Sequence, residues 1–455
     1  MNKGNVIEQY RQLEEDFNSL IPTTRFSKDI NMKLERITHL LDLLGNPHNA
    51  FPSIHITGTS GKGSTSTMAA SLLTAAGYRT GLHLSPHLQI MNERYQINNR
   101  MVATSRLAEI YGTIKPAIEQ VARENQFGKP SYFEAQVALA FCLFRQEKVD
   151  VAVIEVGLGG TLDATNVLQS QVAVLTSIGL DHTDILGNTI ELIAQDKAGI
   201  IKPNQTVISG LTQPSTQLIV AKRCEAQGAI LWQLGKTFTC ELEENGETFK
   251  VAFHDKIYDG LRLNMQGDFQ MMNASCAVGA VHAFTHGISE SVARDGLKRA
   301  VLPGRIECVQ QNPTVILDGA HNPDKIRAAA SAIDKIYANN RRIVVLSLKA
   351  DKAYQDILPY LVTNASILIV TAFGVKGLWS PINPATLAQA AAQIKPDLDI
   401  RIEPDPIQAI KQALSEATSD DLVWVTGSLY LVGDVREYWY PSVELIAQAE
   451  QTKDG

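Results

Sequence analysis

Ser53-Ile54-His55-Ile56-Thr57-Gly58-Thr59-Ser60-Gly61-Lys62-Gly63-Ser64 is the most informative stretch of this 455-residue chain. The run Ser53–Thr57 reads as a buried strand, and it enters a glycine-rich turn. A helical pattern, Ser64–Ala76, leaves the turn and is closed by Gly77 as a C′ residue. Glycines let the backbone curl until several N–H groups face one anion; the helix start adds partial positive charge and Lys62 a full one. Gly58, Thr59, Ser60, Gly61, Lys62, Gly63 and Ser64 are therefore candidate binders of a nucleotide phosphate. The pattern departs from G-x-x-x-x-G-K-[ST], because Gly63 follows the lysine and the hydroxyl comes one place later. Chance alone gives G-x-x-G-K-G-[ST] in about one chain in a thousand of this length.

Outward from this turn, short apolar runs alternate with helical patterns. Asp150–Val156, Val172–Ile178 and Val207–Gly210 are further strand candidates, and their continuous β-branched character argues a parallel sheet covered on both faces. Glu241–Val251 alternates instead and carries Asn245-Gly246, which predicts a small antiparallel hairpin. A helical stretch, Gln270–Phe284, follows. Leu302-Pro303-Gly304-Arg305 breaks the pattern and reads as a linker. Beyond it, strands are expected at Val315–Asp318, Ile343–Leu348, Ile367–Thr371 and Leu422–Thr426, with helices such as Asp324–Ala338 and Pro406–Ala417 between them. The expected fold is α/β: a P-loop-containing doubly wound domain over residues 1–301, then a smaller Rossmann-like domain over 302–455, with a hinge and a ligand cleft between.

Composition narrows the function classes. Hydrophobic residues at 45% and charged residues at 20% exclude a disordered chain, a collagen and a coiled coil. The net charge of −7, without a basic stripe, argues against a nucleic-acid binder. No apolar run reaches the ~18 residues of a membrane span, and Met1–Leu20 is polar and mixed in charge, without a signal-peptide core. Cys142, Cys224, Cys240, Cys276 and Cys308 are scattered, with no C-x-x-C pair, so reduced thiols and a cytoplasmic location are expected. No seam-like apolar stripe stands out, and a monomer is expected.

Four residues are candidate groups around a phosphate-bound magnesium ion, which prefers oxygen ligands. Glu155 ends a predicted strand before Gly157-Leu158-Gly159-Gly160, where parallel sheets place ligand sites. Ser85, in His83-Leu84-Ser85-Pro86-His87, reads in isolation as a turn serine. His182, beside Asp181 at the next strand end, fits a ligand and a structural role equally well. Lys197, from its spacing, is a solvated helix lysine.

Taken together these segments resemble the folylpolyglutamate synthase/dihydrofolate synthase family of Mur-ligase-like amide ligases. The resemblance starts at Phe26-Ser27-Lys28-Asp29 and Leu34-Glu35-Arg36-Ile37 and takes in the phosphate loop, Leu84–Leu88, Asn92-Glu93-Arg94 and Tyr132-Phe133-Glu134. It continues through Glu155–Gly160, Leu162–Asn166, Gly179–His182, Leu186–Thr189 and Asp196–Lys202. In the second half it includes Pro303-Gly304-Arg305, Asp318–Pro323 and Thr426–Tyr430.

The resemblance implies the following roles. Ser85 and Glu155 are ligands of one magnesium ion, and His182 with Glu155 belongs to a second. Lys197 is carried as N6-carboxylysine. Asn273, Arg305, Asp318 and His321 match nucleotide positions, and Phe133, Asp163 and Ala164 match the pterin-site stretches. Lys62, Glu155, His182 and Lys197 would carry catalysis. The implied reaction uses ATP to turn a folate or dihydropteroate carboxylate into an acyl phosphate, which the amine of L-glutamate then attacks. Which acceptor is used stays open at this point. Thr161, Asp196, Phe269 and the arginine-free Phe373–Pro381 depart from the family pattern and bear on the acceptor and amino-acid sites. The rivals are a Mur-type ligase for another acid and a P-loop switch. A dinucleotide oxidoreductase fits poorly, because no G-x-G-x-x-G follows the first strand.

Overall fold

The computed structural model describes residues 3–21, 34–244, 246–374 and 379–451. Phe26-Ser27-Lys28-Asp29, Asn245 of the expected turn, and residues 375–378 of the Phe373–Pro381 stretch lie outside the described residues. The chain divides into two compact units: residues 1–264, 270–301 and 445–455 form one, and 265–269 with 302–444 the other.

In the first unit, β1 (Ser53–Thr57), β2 (Thr80–His83), β3 (Tyr95–Ile97), β4 (Arg100–Met101), β5 (Val151–Glu155), β6 (Val172–Leu175), β7 (Thr206–Ser209) and β8 (Ile230–Gln233) form one sheet. Its order is β4-β3-β2-β5-β1-β6-β7-β8, parallel except that β3 pairs antiparallel with both β2 and β4. β1 is central, with β5 on one side and β6 on the other, in the registers Ile56↔Glu155 and Thr57↔Leu175. The chain winds both ways from β1, so the carboxyl ends of β5, β1 and β6 make a topological switch point.

Every residue of β1, β5 and β6 is buried, which explains why their sequences do not alternate. The helices Thr104–Glu124 and Tyr132–Gln146 cover one face around Ile154, Phe141 and Phe144. The helix Lys62–Ala75 is buried from Ser64 to Leu73, and Ser71 Oγ ties it to Gly296 O at 2.7 Å. Each large apolar side chain so buried contributes about 1.5–3 kcal/mol.

The alternating stretch forms β9 (Thr239–Leu242) and β10 (Phe249–Ala252), antiparallel as expected. A third strand, β11 (Ile257–Leu261), completes a small sheet that the sequence reading did not include.

The second unit holds β12 (Glu307–Gln310), β13 (Thr314–Leu317), β14 (Arg342–Leu346), β15 (Ile367–Val370), β16 (Asp399–Ile402) and β17 (Leu422–Thr426). Their order is β12-β13-β17-β14-β15-β16, parallel except for β12.

The division differs from a single cut between 301 and 302 in two places. Ile446 is buried in the first unit's core, and Glu450 accepts a hydrogen bond from the Ser105 hydroxyl, so the last helix belongs there. Phe269 packs on the second unit's core and Asp268 pairs with Lys335 at 3.0 Å, which takes 265–269 the other way. No helix among the described residues is long and apolar enough to cross a membrane.

Candidate active site

The turn after β1 is gripped from β6. Thr59 N–H donates to Ser177 O at 2.8 Å and Ser60 N–H to Ser177 Oγ at 3.1 Å. Thr176 Oγ1 and Ser177 Oγ donate to Ser60 O at 2.6 and 3.0 Å. Thr57 Oγ1 donates to Gly159 O at 2.7 Å, which ties the turn to the loop after β5. Gly61 has φ +86°, and a Cβ there would fall on Asn273 Oδ1, so only glycine fits. The first intrahelical bond is Thr65 N–H to Gly61 O, 2.9 Å. The amides of Lys62, Gly63 and Ser64 therefore have no intrahelical partner and stand at a positive helix start. Lys62 Nζ folds over the turn and donates to Gly58 O at 3.1 Å. The arrangement gathers a cation and several N–H donors with no carboxylate bonded to them among the described residues, which is what a phosphate needs.

Glu155 ends β5, buried, and its Oε2 accepts Ser85 N–H at 2.9 Å. Ser85 Oγ is buried and has no hydrogen-bond partner among the described residues. Glu93 holds this turn open by accepting the N–H groups of Leu88, Gln89 and Ile90 at 2.5, 2.9 and 3.1 Å. Lys197 ends the helix Ile190–Lys197 and is 4% exposed. Burial pushes its amine down to about 7, helped by the charge of Lys62 and opposed by Asp196, Asp181 and Asp163. Its amine makes no hydrogen bond or ion pair among the described residues. His182 heads the short helix Thr183–Leu186 with φ +51° and is exposed.

Phe133 and Asp163 meet at Gly157: a Cβ on Gly157 would lie 2.5 Å from Phe133 Cζ and 3.1 Å from Asp163 Oδ2. Asp163 is buried and accepts Leu158 N–H at 2.8 Å and Thr165 N–H at 3.0 Å, capping the turn that starts at Ala164. Burial raises its carboxyl, and these hydrogen bonds pull it back. Two departures from the family pattern touch each other, since Thr161 N–H and Oγ1 both donate to Asp196 O, at 3.0 and 2.9 Å.

The second unit gathers its own group at the end of β13. Asp318, 4% exposed, accepts Ile306 N–H and Ala320 N–H, each at 3.0 Å, and burial raises its carboxyl against the pull of Arg305. A Cβ on Gly319 would lie 3.1 Å from an Arg305 guanidinium nitrogen. His321 Nδ1 lies 2.8 Å from Gly319 O. Phe373 is buried with its ring 5.3 Å from that of Tyr430.

Residues 56–281 match the model of the Mur ligase middle domain, and 304–429 that of the Mur ligase, glutamate ligase domain. The Bacillus subtilis dihydrofolate synthase/folylpolyglutamate synthase is 34% identical over 412 residues, covering 89% of this chain and 94% of the relative. This chain belongs to the folylpolyglutamate synthase/dihydrofolate synthase family. Mycobacterium tuberculosis folylpolyglutamate synthase complexed with ADP superposes with a TM-score of 0.87 at 31% identity, covering 96% of this chain and 99% of that one. Escherichia coli FolC in complex with DHPP and ADP gives 0.83 at 29% identity, covering 94% and 97%.

For this folylpolyglutamate synthase/dihydrofolate synthase family member, the structure draws site residues read from the sequence into three groups in the first unit. The loop 58–64 meets Asn273; Ser85 meets Glu155; and Phe133 meets Asp163 across Gly157. Arg305, Asp318 and His321 form a fourth group in the other unit. Sequence reasoning missed Thr176 and Ser177, which clamp the loop, and Thr165, which holds Asp163. The available signal was two hydroxyl residues interrupting the apolar run Val172–Ile178.

Proposed function

We propose that the protein is an ATP-dependent ligase that adds L-glutamate to the carboxylate of a folate or of dihydropteroate through an acyl phosphate. The observation that carries this reading is one switch point holding both a donor-rich loop with Lys62 and, on the neighbouring strand, Glu155 bound to the Ser85 turn. Lys62 and the helix-start amides bind the triphosphate and meet charge as it moves toward the leaving ADP. Phe133 and the 157–164 loop hold the pterin acid. Asn273, Arg305, Asp318 and His321 serve the nucleotide. Both acceptors are assigned, on the support of the double name of the Bacillus subtilis relative. The protein acts as a monomer in the cytoplasm, in keeping with five free cysteines.

Magnesium fits these residues. Ser85 Oγ is a buried oxygen without a hydrogen-bond partner among the described residues, on the residue whose N–H meets the Glu155 carboxylate, and two oxygen donors suit an ion that takes the rest of its shell from phosphates and waters. Ser85 and Glu155 would hold one ion, and His182 with Glu155 would contribute to a second. When bound, magnesium supplies positive charge against the phosphate oxygens. The Lys197 amine, held near neutrality, adds to carbon dioxide with loss of one proton and becomes an N6-carbamate, an anionic oxygen donor.

The test mixes the protein with ATP, magnesium, L-glutamate and either dihydropteroate or a tetrahydrofolate. ADP and a product one glutamyl unit heavier are expected, with oxygen-18 from the acceptor carboxylate appearing in the released phosphate. ADP release that ignores both acceptors would overturn the substrate assignment.

A further inference from the structure

His55 lies on β1 three residues before Gly58 of the phosphate loop, with no exposed surface, and none of the roles above uses it. In register across the sheet it sits beside Ile154, which sits beside His83. Residues so paired share a face, and Ile154 belongs to the core packed by the helix Tyr132–Gln146. His55 Nε2 is 2.8 Å from Thr165 Oγ1, and Thr165 Oγ1 donates in turn to Asp163 Oδ1. A hydroxyl has one proton. With that proton on the Asp163 side, the Thr165 oxygen accepts from His55, which fixes the Nε2–H tautomer. Burial keeps the ring neutral, and the charge of Lys202 acts the same way. Asp163 extends the line through Leu158 N–H, 2.8 Å, and its carboxylate abuts Gly157 on the side where Phe133 rests. At the other end of the row, the His83 ring centroid is 6.4 Å from that of Phe133.

We propose that His55 is a positioning residue of the acceptor site: through Thr165 it fixes Asp163, and so the Gly157-Leu158 backbone on which Phe133 lies. This rests on the reading of Phe133 and Asp163 as the pterin side of the site. The relay separates the acceptor side from the phosphate side of the same strand. Breaking it therefore acts on the KM of one substrate and not of the other.

The experiment compares His55→Leu, His55→Gln, Thr165→Val and Thr165→Ser in the full chain. His55→Leu and Thr165→Val should raise the KM for the pterin acceptor about tenfold or more and leave the KM for ATP within about twofold. His55→Gln places an amide N–H near the lost Nε2–H and Thr165→Ser keeps the hydroxyl, so both should restore most of the loss. The double variant His55→Leu/Thr165→Val should be no worse than either single one, because the two act as one unit. Hydrogen exchange over 157–165 should rise in Thr165→Val while that over 58–65 does not. Equal changes in both KM values, no rescue by the conservative variants, additive losses, or unchanged exchange would each overturn the relay. If His55→Leu does not fold, the Thr165 pair decides with the histidine intact. A wild type that consumes no pterin acid sinks the proposed substrate, and the exchange measurement still decides the relay.

Discussion

After β1 the chain places three helix-start amides and Lys62 at the end of its sheet, with no carboxylate bonded to them among the described residues. After β13 it buries a carboxylate, Asp318, and turns two backbone N–H groups onto it. Both places are strand ends of largely parallel sheets, and both use backbone amides as donors. In the first the donors are left for something that is not protein. In the second the chain supplies its own anion, so those donors lock Pro303-Gly304-Arg305 against Gly319, with Gly319 N–H on Gly304 O at 2.9 Å. A strand-end position in such a sheet does not by itself make a phosphate site; the sign of the resident charge decides.

The largest effect should come from removing the cation. Lys62→Ala should lower kcat by about 10³-fold, the cost of losing one preorganised charge aimed at the transferring group. The melting temperature should hardly move, since the amine's bond is to its own loop carbonyl. A variant that only raises the KM for ATP would show that Lys62 binds the nucleotide without stabilising the transfer, and the contrast with Asp318 would shrink to ground-state affinity.

Next comes the loop's shape. Gly61→Ala meets both a left-handed backbone and Asn273 Oδ1, so about 2–4 kcal/mol of stability should be lost. Asn273→Ala in the same chain should return the steric part and not the backbone part, as measured by paired denaturant titrations. Full additivity of the two would break the claim that the asparagine closes on the turn. In the second unit, Asp318→Asn turns an amide N–H₂ toward a buried N–H donor. It should cost about 2–3 kcal/mol in unfolding free energy and, because Asp318 is also assigned to the nucleotide, should weaken ADP binding as well. Unchanged ADP affinity beside the lost stability would make Asp318 a lock alone and remove it from the nucleotide site.

The two regions also differ in how legible they were. The loop 58–64 was readable because phosphate binding needs glycines, a lysine and a helix start in one contiguous stretch, and the flanking strands were continuous apolar runs. Strands β13, β14, β15 and β17 were legible for the same reason. β16 was not, because Asp-Ile-Arg-Ile at an edge has neither an apolar run nor a turn signal. Glu155 could be picked from its strand end, yet its bond to the Ser85 amide spans 70 residues, and no local pattern encodes it. Lys197 looked like a surface lysine because spacing does not report burial; its depressed amine arises from what the fold packs around it. Thr176, Ser177, His55 and Thr165 were missed for a common reason. Each acts by a hydrogen bond to a residue more than a hundred positions away.

The smallest effect sharpens the comparison at β1 itself, where phosphate and acceptor sides share a strand. His55 is held near a pKa of about 3 by burial, against an ordinary value of 6.5. Between those values the unfolded chain binds a proton at this residue and the folded chain does not. Stability must therefore rise with pH across that window and fall as acid is added, with a slope of about 1.4 kcal/mol per pH unit from this one side chain. His55→Gln cannot take up the proton, so the slope of unfolding free energy against pH between 4 and 6 should drop by about that amount. Above pH 7 the wild type and the variant should keep a constant difference, because the histidine is then neutral in both states. An unchanged acid slope would mean that His55 is protonated in the folded chain. Its second ring nitrogen, buried and without a partner among the described residues, would then need an acceptor that those residues do not supply.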